Sequence, residues 1–551
     1  MEPDAQCHGT EPSEHEIQRI NTLLRSNYGC YTPDPENISQ CLSKTERELR
    51  RITDEIPGLA SSIAEQEQLE WIALRYKSLL APIRKLPCEV VALVFEFTCS
   101  EPTTFGDVIC CPPLLLSSIC AGWRDLARRI PSLWSSLFVG AAVYSFCVPL
   151  LALHLELSQQ HPLYLTISMP DIVEFSPEDD PAQDMLFMLL AQSHRWREVT
   201  LDIREMMDAL DIVEGKLPLL QVLNMVDRDD EVQLGTFEVA PSLRKVVVMC
   251  GVEGLGLPWT QITHFTFQTV LFDTVLHGLS LASEVREVAI YQCPYSSGSG
   301  DTYTRPLMLR HLCSLSIVVD QKDPHFHHYF QWLTLPQLVS FSIAGDSRSP
   351  PTACTSLFED DCFPSFLERS ACTITSLSLT NFPLSDDEAI ELLSALPALT
   401  SLTIHEKIGP KYPYTNSILT AKFLQSLTLH YDPDTVFSND PGPSPSLLHL
   451  KHLHSLDLRL HGTLPTKVIA DVVVSRWTRS GSESTSSSSE SITASASAAV
   501  NSFSSVERLA EVRILALLSK DDMVLDVQEL GNLLGDYRRL GLRLFCESRL
   551  L

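Results

Sequence analysis

The chain has 551 residues and a net charge of −28, from 69 acidic against 41 basic side chains. So large an acidic excess argues against broad phosphate binding, and nucleic acid is excluded as a general partner. With 44% hydrophobic and 20% charged residues, most of the length can bury a core, in two to four folding units.

No run of about 20 apolar residues occurs, and the opening residues are polar and acidic, so neither a membrane partner nor a signal peptide is expected. Sixteen cysteines lack any CxxC pair, and only Cys110 and Cys111 are adjacent. In a reducing compartment such thiols behave as small apolar side chains, and no disulfide framework is expected. The reading is a soluble intracellular protein of the cytoplasm, the nucleus or both.

Residues 1–37 carry Pro3, Pro12, Pro33 and Pro35 among polar residues, which predicts disorder apart from a helical turn near Ile17 to Leu24. A helical lead over 38–82 follows. Leu42, Thr45, Leu49, Ile52, Ile56, Leu59 and Ile63 recur at steps of three and four, a heptad seam that Pro57 must kink or divide. A second helix from about Ala64 to Leu80 carries Leu69, Ile72, Ala73, Tyr76 and Leu80 on one side. A helical hairpin and a parallel coiled-coil dimer both fit, and the proline favours the hairpin.

Residues 83–139 change character. Leu86-Pro87 opens a helix whose Val90, Val91, Val94, Phe95 and Phe97 fall at helical steps. A loop from Ser100 to Pro113 is followed by Leu114, Leu115, Ile119, Trp123, Leu126 and Ala127 on a second helix. Pro131 ends that helix before a third short one holding Leu133, Trp134 and Leu137.

The order Leu86-Pro87-x-Glu89-Val90, Val94-Phe95, Ile119-Cys120-x-x-Trp123-Arg124-x-Leu126-Ala127 and Pro131-x-Leu133-Trp134 resembles the F-box common in long proteins of mushroom-forming fungi. The resemblance implies a docking module for the Skp adaptor of a cullin-RING ubiquitin ligase. The residues it assigns to adaptor binding are Leu86, Pro87, Val90, Val94, Phe95, Ile119, Cys120, Trp123, Leu126, Leu133 and Trp134. Cys88 departs from the frequent proline at that position, and the loop is longer than in compact F-boxes. A helical hairpin buried in a larger core, with no partner, is the alternative. A unit this short buries Trp123 and Trp134 poorly by itself.

Over 140–474 the signal becomes short strands. The core apolar-x-x-apolar-x-apolar begins at Trp196, Leu220, Leu243, Ile262, Val285, Leu312, Leu338, Ile374, Leu399, Leu424 and Leu453, with starts 19 to 36 residues apart. That is the period of leucine-rich repeats. Prolines at 218, 241, 336 and 397 suit strand entry. Segments such as Asp386 to Leu396 supply intervening helices. Only Cys293 stands where full repeats place a backbone-bonding Asn or Cys, so the units are irregular. An ordinary α/β domain with parallel strands remains open beside a degenerate solenoid.

A serine-rich tract over 475–505 is expected to be a disordered insertion. Residues 506–551 hold another strand core at Leu509 and a capping helix over Val527 to Leu540. The fold class is thus α+β and multidomain: a helical lead, a three-helix F-box-like domain and an irregular leucine-rich-repeat-like α/β solenoid.

No catalytic residue, cofactor or metal site emerges. His325-Phe326-His327-His328 lacks metal-ligand spacing and is expected to be a solvated loop. Gly251-x-x-Gly254-x-Gly256 has the wrong glycine order for a dinucleotide site. Asp179-Asp180, Asp229-Asp230 and Asp386-Asp387 read as solvated loops and helix starts. The expected function is recruitment of an unidentified protein substrate to a Skp-cullin-F-box ligase, without enzymatic chemistry. An interaction scaffold acting outside ubiquitin ligation is the alternative, and an α/β enzyme would require a pocket of convergent titratable groups.

Overall fold

A computed structural model describes residues 14–25, 34–55, 60–140, 143–169, 181–227, 233–294, 305–319, 326–345, 361–406, 418–429, 450–461, 464–477, 507–518 and 525–550. Pro57 and almost all of the serine-rich tract lie outside them. The chain divides into two units, Met1–Gln221 with Val239–Ser242, and Val222–Glu238 with Leu243–Leu551. Both are α/β, with parallel strands ordered along the chain, and in neither does the strand order close into a barrel. Among the described residues no helix is long and apolar enough to cross a membrane.

The first unit opens on α1 (Glu14–Arg25), α2 (Pro35–Glu55) and α3 (Ala60–Leu80). α1 exceeds the single turn expected near Ile17. α2 and α3 pack as a hairpin. Ile38 at the start of α2 meets Tyr76 and Leu79 at the end of α3, together with Ile20 and Ile72, so the two helices run antiparallel. Lys77 reaches Glu46 at 2.9 Å across the pair.

Next come α4 (Cys88–Thr98), β1 (Thr103–Phe105), α5 (Pro112–Ile119), α6 (Ala121–Arg128), β2 (Ser136–Val139), α7 (Cys147–Leu157), β3 (Leu163–Ser168), α8 (Pro181–Leu190) and β4 (Trp196–Asp202). The strands pair in that order, with Thr103 opposite Leu137 and Leu137 opposite Leu165.

Three expectations fail here. The expected third helix is a short 3-10 turn, Pro131–Trp134, and Leu137 belongs to a strand. Leu137 and Val139 bury on one side while Ser136 and Phe138 stay half-exposed, an alternation with period two rather than 3.6. The loop after α4 contains β1, and the helix expected over Leu114 to Ala127 breaks at Cys120.

The second unit holds β5 (Val222–Asp227), β6 (Lys245–Val248), β7 (His264–Gln268), α9 (Phe272–Leu281), β8 (Glu287–Tyr291), β9 (Leu307–Met308), β10 (Ser314–Val319), β11 (Leu333–Thr334), β12 (Ser340–Gly345), α10 (Cys362–Ser370), β13 (Ser376–Thr380), α11 (Asp386–Ser394), β14 (Ser401–His405), α12 (Ala421–Leu427), β15 (Ser455–His461), α13 (Thr466–Ser475), β16 (Glu511–Leu518), α14 (Val527–Leu533), α15 (Gly535–Arg539) and β17 (Arg543–Leu550). β9 and β11 pair with each other, and the remaining strands form one parallel series.

The register stacks like positions. Leu315, Phe341, Leu377, Leu402 and Leu456 are successive partners, and so are Ser314, Ser340, Ser376, Ser401 and Ser455. The first row is buried and the second half-exposed. In these five strands the leading apolar residue of the expected core sits two places before the strand. Leu312, Leu338, Ile374, Leu399 and Leu453 are all buried there, filling the turn into the strand.

One expected strand is a helix. Leu424 and Leu427 lie on α12, where the Thr420 hydroxyl accepts the Phe423 amide at 3.1 Å and caps the first turn. An apolar pair three apart suits either element, and the cap decides it.

Guanidinium groups tie successive turns together. Buried Arg476 donates to the carbonyls of Leu450 at 2.8 Å and Leu427 at 3.3 Å, and burial lowers its pKa to about 10. Arg369 does the same to Phe330 and Leu333 at 2.6 and 2.8 Å. Five fixed donors make arginine suited to carbonyls that no helix or strand satisfies.

Candidate functional site

α4 begins after Pro87, whose extended backbone sets up a helix with no amide hydrogen bond to lose. Glu89 stands in its first turn, and its carboxyl is held below the usual range by its own backbone amide and by the Cys88 thiol. The favourable dipole end of the helix agrees with that placement. At the other end the Cys99 amide returns to the Phe95 carbonyl at 2.8 Å.

α5 starts on Pro112 and Pro113, which again sacrifice no helical hydrogen bond. The break after it is built from side chains. Cys120 is extended, and its sulfur accepts the Trp123 amide at 3.4 Å, so a cysteine caps α6. Arg124 Nε donates to the Ser117 carbonyl at 3.0 Å, which satisfies an end carbonyl of α5.

The inner faces close a small core of Val91, Phe95, Leu116, Ala127, Leu133 and Trp134, with Leu86, Trp123 and Leu126 packed against it. The Phe95 and Trp123 rings stand 4.8 Å apart and tilted. Trp134 Nε1 donates to the Ala127 carbonyl at 2.8 Å. The same device recurs where Trp196 Nε1 donates to the Leu189 carbonyl at 3.1 Å, at the end of α8 and the entry to β4. The exit of the helical module is therefore built like a unit of the strand series.

Behind Trp134 lies His154 of α7, its ring 5.0 Å from Trp134 and 5.5 Å from Phe105. Nδ1 stands 2.9 Å from the Leu150 carbonyl, and Nε2 has no partner among the described residues. Burial holds this imidazole below its ordinary pKa, against the opposing effect of the carbonyl.

The outer faces are apolar as well. On α4, Val90, Leu93, Val94 and Phe97 fall at i, i+3, i+4 and i+7, with Leu93 64% and Phe97 84% exposed. On α5, Leu115 and Ile119 are 65% and 61% exposed. α4 is thus apolar on opposite sides, with Val91 and Phe95 wholly buried on the other. Fully burying a side chain of this size yields about 1.5–3 kcal/mol, so the patch can supply docking energy that water now withholds.

The residues assigned by the motif therefore divide. Phe95, Leu133 and Trp134 are buried in the core, and Leu86, Cys120, Trp123 and Leu126 are half-buried at its margin. Pro87, Val90, Val94 and Ile119 face outward. Leu93, Phe97 and Leu115 join the outward group although the motif does not name them; helical spacing from Val90 was the signal that finds the first two.

The other candidates have structural settings. His325 lies outside the described residues, while His327 is buried rather than solvated, on a 3-10 turn over Phe326–Gln331. Gly254 holds a positive φ of 70° in a turn, and Gly256 bonds back to the Leu234 carbonyl at 2.8 Å. Asp386 and Asp387 begin α11 beside the Ser385–Glu388 capping box, with the Thr420 hydroxyl donating to Asp386 at 2.8 Å. Asp179-Asp180 and Asp229-Asp230 lie outside the described residues. Among the described residues no group of three metal-ligating side chains assembles.

No protein-family model and no curated protein matches the chain.

Proposed function

We propose that the chain is a substrate-recruiting F-box subunit of a Skp-cullin-F-box ubiquitin ligase. α4, α5 and α6 act as the F-box and dock on the Skp adaptor, and through it on a cullin. The strand series acts as an irregular leucine-rich-repeat-like solenoid that presents its polar face to a target protein.

The observation that carries this reading is the outward stripe of Val90, Leu93, Val94 and Phe97 beside Leu115 and Ile119, on a module whose own core is already closed. A helix apolar on both sides needs a second partner. The resemblance of the Leu86 to Trp134 motif says which partner. The chain itself forms no covalent bond in this scheme. It holds the target beside a ubiquitin-charged enzyme and raises the effective concentration of the reacting groups.

Co-purification with a Skp adaptor tests the proposal. The intact chain is expected to retain adaptor and cullin, and Leu86→Ala/Pro87→Ala to lose both. A chain that never captures the adaptor sinks it, and adaptor without cullin places the protein outside ligation.

A further inference from the structure

We propose that the groove over β2, β3 and β4 is a recognition site for an arginine side chain on an extended segment of a partner protein. A cavity of about 500 Å³ opens there, lined among others by Ser136, His161, Tyr164, Thr166, Glu198 and Thr200. Its volume lies within the range of ligand-binding clefts.

The groove lies beside a local irregularity in the ladder. Leu163 pairs with Trp196 but Tyr164 pairs with Glu198, so Arg197 is an extra residue in the ladder, a β-bulge. Bulges re-aim the side chains that follow them. Here the bulge sets Glu198 directly across from Tyr164, with Ser136 on Tyr164's other flank. Neighbouring strands lie about 4.8 Å apart, so ring and carboxylate form one wall.

The neighbouring cation in sequence is engaged elsewhere. Arg197 turns to Gln221, donating from Nε to its side-chain oxygen at 3.1 Å. Among the described residues the Glu198 carboxylate has no hydrogen-bond or ion-pair partner.

The lining is rich in acceptors. His161 Nδ1 sits 3.0 Å from the Pro162 carbonyl, which assigns the proton to that nitrogen and leaves Nε2 as an acceptor in the neutral ring. Hydroxyls of Ser136, Tyr164 and Thr166 can accept as well. Among the described residues no lysine or arginine lines the cavity.

A group with several donors, a positive charge and a flat apolar face fits this wall better than any anion. Guanidinium has five donors in a planar fork, pairs bidentately with a carboxylate and stacks on an aromatic ring. Lysine offers three donors and no plane. The net charge of −28 adds long-range attraction for a basic segment. This site rests on the proposed role of the strand face in target binding, and it names the chemistry of that target.

The test is fluorescence anisotropy with the full-length chain and a short fluorescein-labelled Gly/Ser peptide carrying arginine at alternate positions. The arginine peptide is expected to bind, with affinity falling as salt rises. The lysine version should bind about threefold more weakly, and the glutamate version not at all. Glu198→Gln keeps the shape and should weaken binding about tenfold. Tyr164→Leu should weaken it about threefold. Circular dichroism and thermal unfolding confirm that both variants fold.

Equal affinity of wild type and Glu198→Gln would overturn the site, as would equal binding of the glutamate peptide. Spermine competing at the peptide's own concentration, with the same dependence on Glu198, would overturn the assignment to a protein segment. Leu93→Asp/Phe97→Asp is expected to leave peptide binding unchanged. Adaptor binding lost while peptide binding persists, or the reverse, separates failure of the ligase role from failure of this site.

Discussion

The outward faces of α4 and of the strand series are built on opposite principles. α4 and α5 expose six large apolar side chains within a module whose core is closed. Strands β10 and β12 to β15 of the second unit bury every second residue and turn outward the row Ser314, Ser340, Ser376, Ser401 and Ser455. An apolar helical patch gains free energy from any complementary apolar groove, and suits a fixed partner. A half-buried polar sheet face gains little without matched charges and hydrogen bonds, so it suits selective recognition.

That contrast can be broken first in the core of the helical module. Trp134→Ala should destabilise the first unit by about 3–5 kcal/mol, because it empties a buried site and removes the indole hydrogen bond to the Ala127 carbonyl. Phe97→Ala, on the outward side of α4, should cost under about 0.5 kcal/mol. Chemical denaturation of the two variants measures the difference. Similar losses would mean that the outward stripe belongs to the core.

In the second unit the corresponding test is Arg476→Ala. It removes both bonds to Leu450 and Leu427, and a loss of about 3 kcal/mol is expected from denaturant midpoints. A smaller step comes from the cap of α11, where Ser385→Ala should cost about 1 kcal/mol in the same assay.

The last is a slope with pH. His154 is buried with its folded pKa below the ordinary value of 6.5, so the unfolded chain takes up the proton first. Its stabilising contribution is complete above pH about 6.5 and is lost as pH falls through the folded value. Thermal unfolding at decreasing pH should show His154→Phe losing less stability than wild type. Parallel curves would rule this residue out.

Much of this architecture is legible in the residues. The strand cores that begin at Trp196, Leu312, Leu338, Ile374, Leu399, Leu453 and Leu509 lead into β4, β10, β12, β13, β14, β15 and β16. They are readable because burial on one side of a strand imposes period two. Leu424 misleads because a step of three fits a helix as well, and only the Thr420 cap separates the two. β1 and β17 escape notice for different reasons. β1 is three residues long, and β17 interleaves Arg543, Glu547 and Arg549 with its apolar residues. The break at Cys120 escapes because a sulfur, a weak acceptor, does the work usually done by an oxygen. In the candidate site the motif names core and surface residues alike. Conserved-looking order cannot distinguish Phe95, which holds the module together, from Phe97, which has nothing to hold; the helical phase does.

The central claim is that the α4 and α5 stripe is a docking face for the Skp adaptor, and calorimetric titration of the purified chain with that adaptor tests it most directly. The account predicts a saturable complex that Leu93→Asp/Phe97→Asp weakens at least about a hundredfold, with the thermal unfolding midpoint unchanged. Adaptor affinity equal in wild type and double variant, or no complex with either, would contradict it.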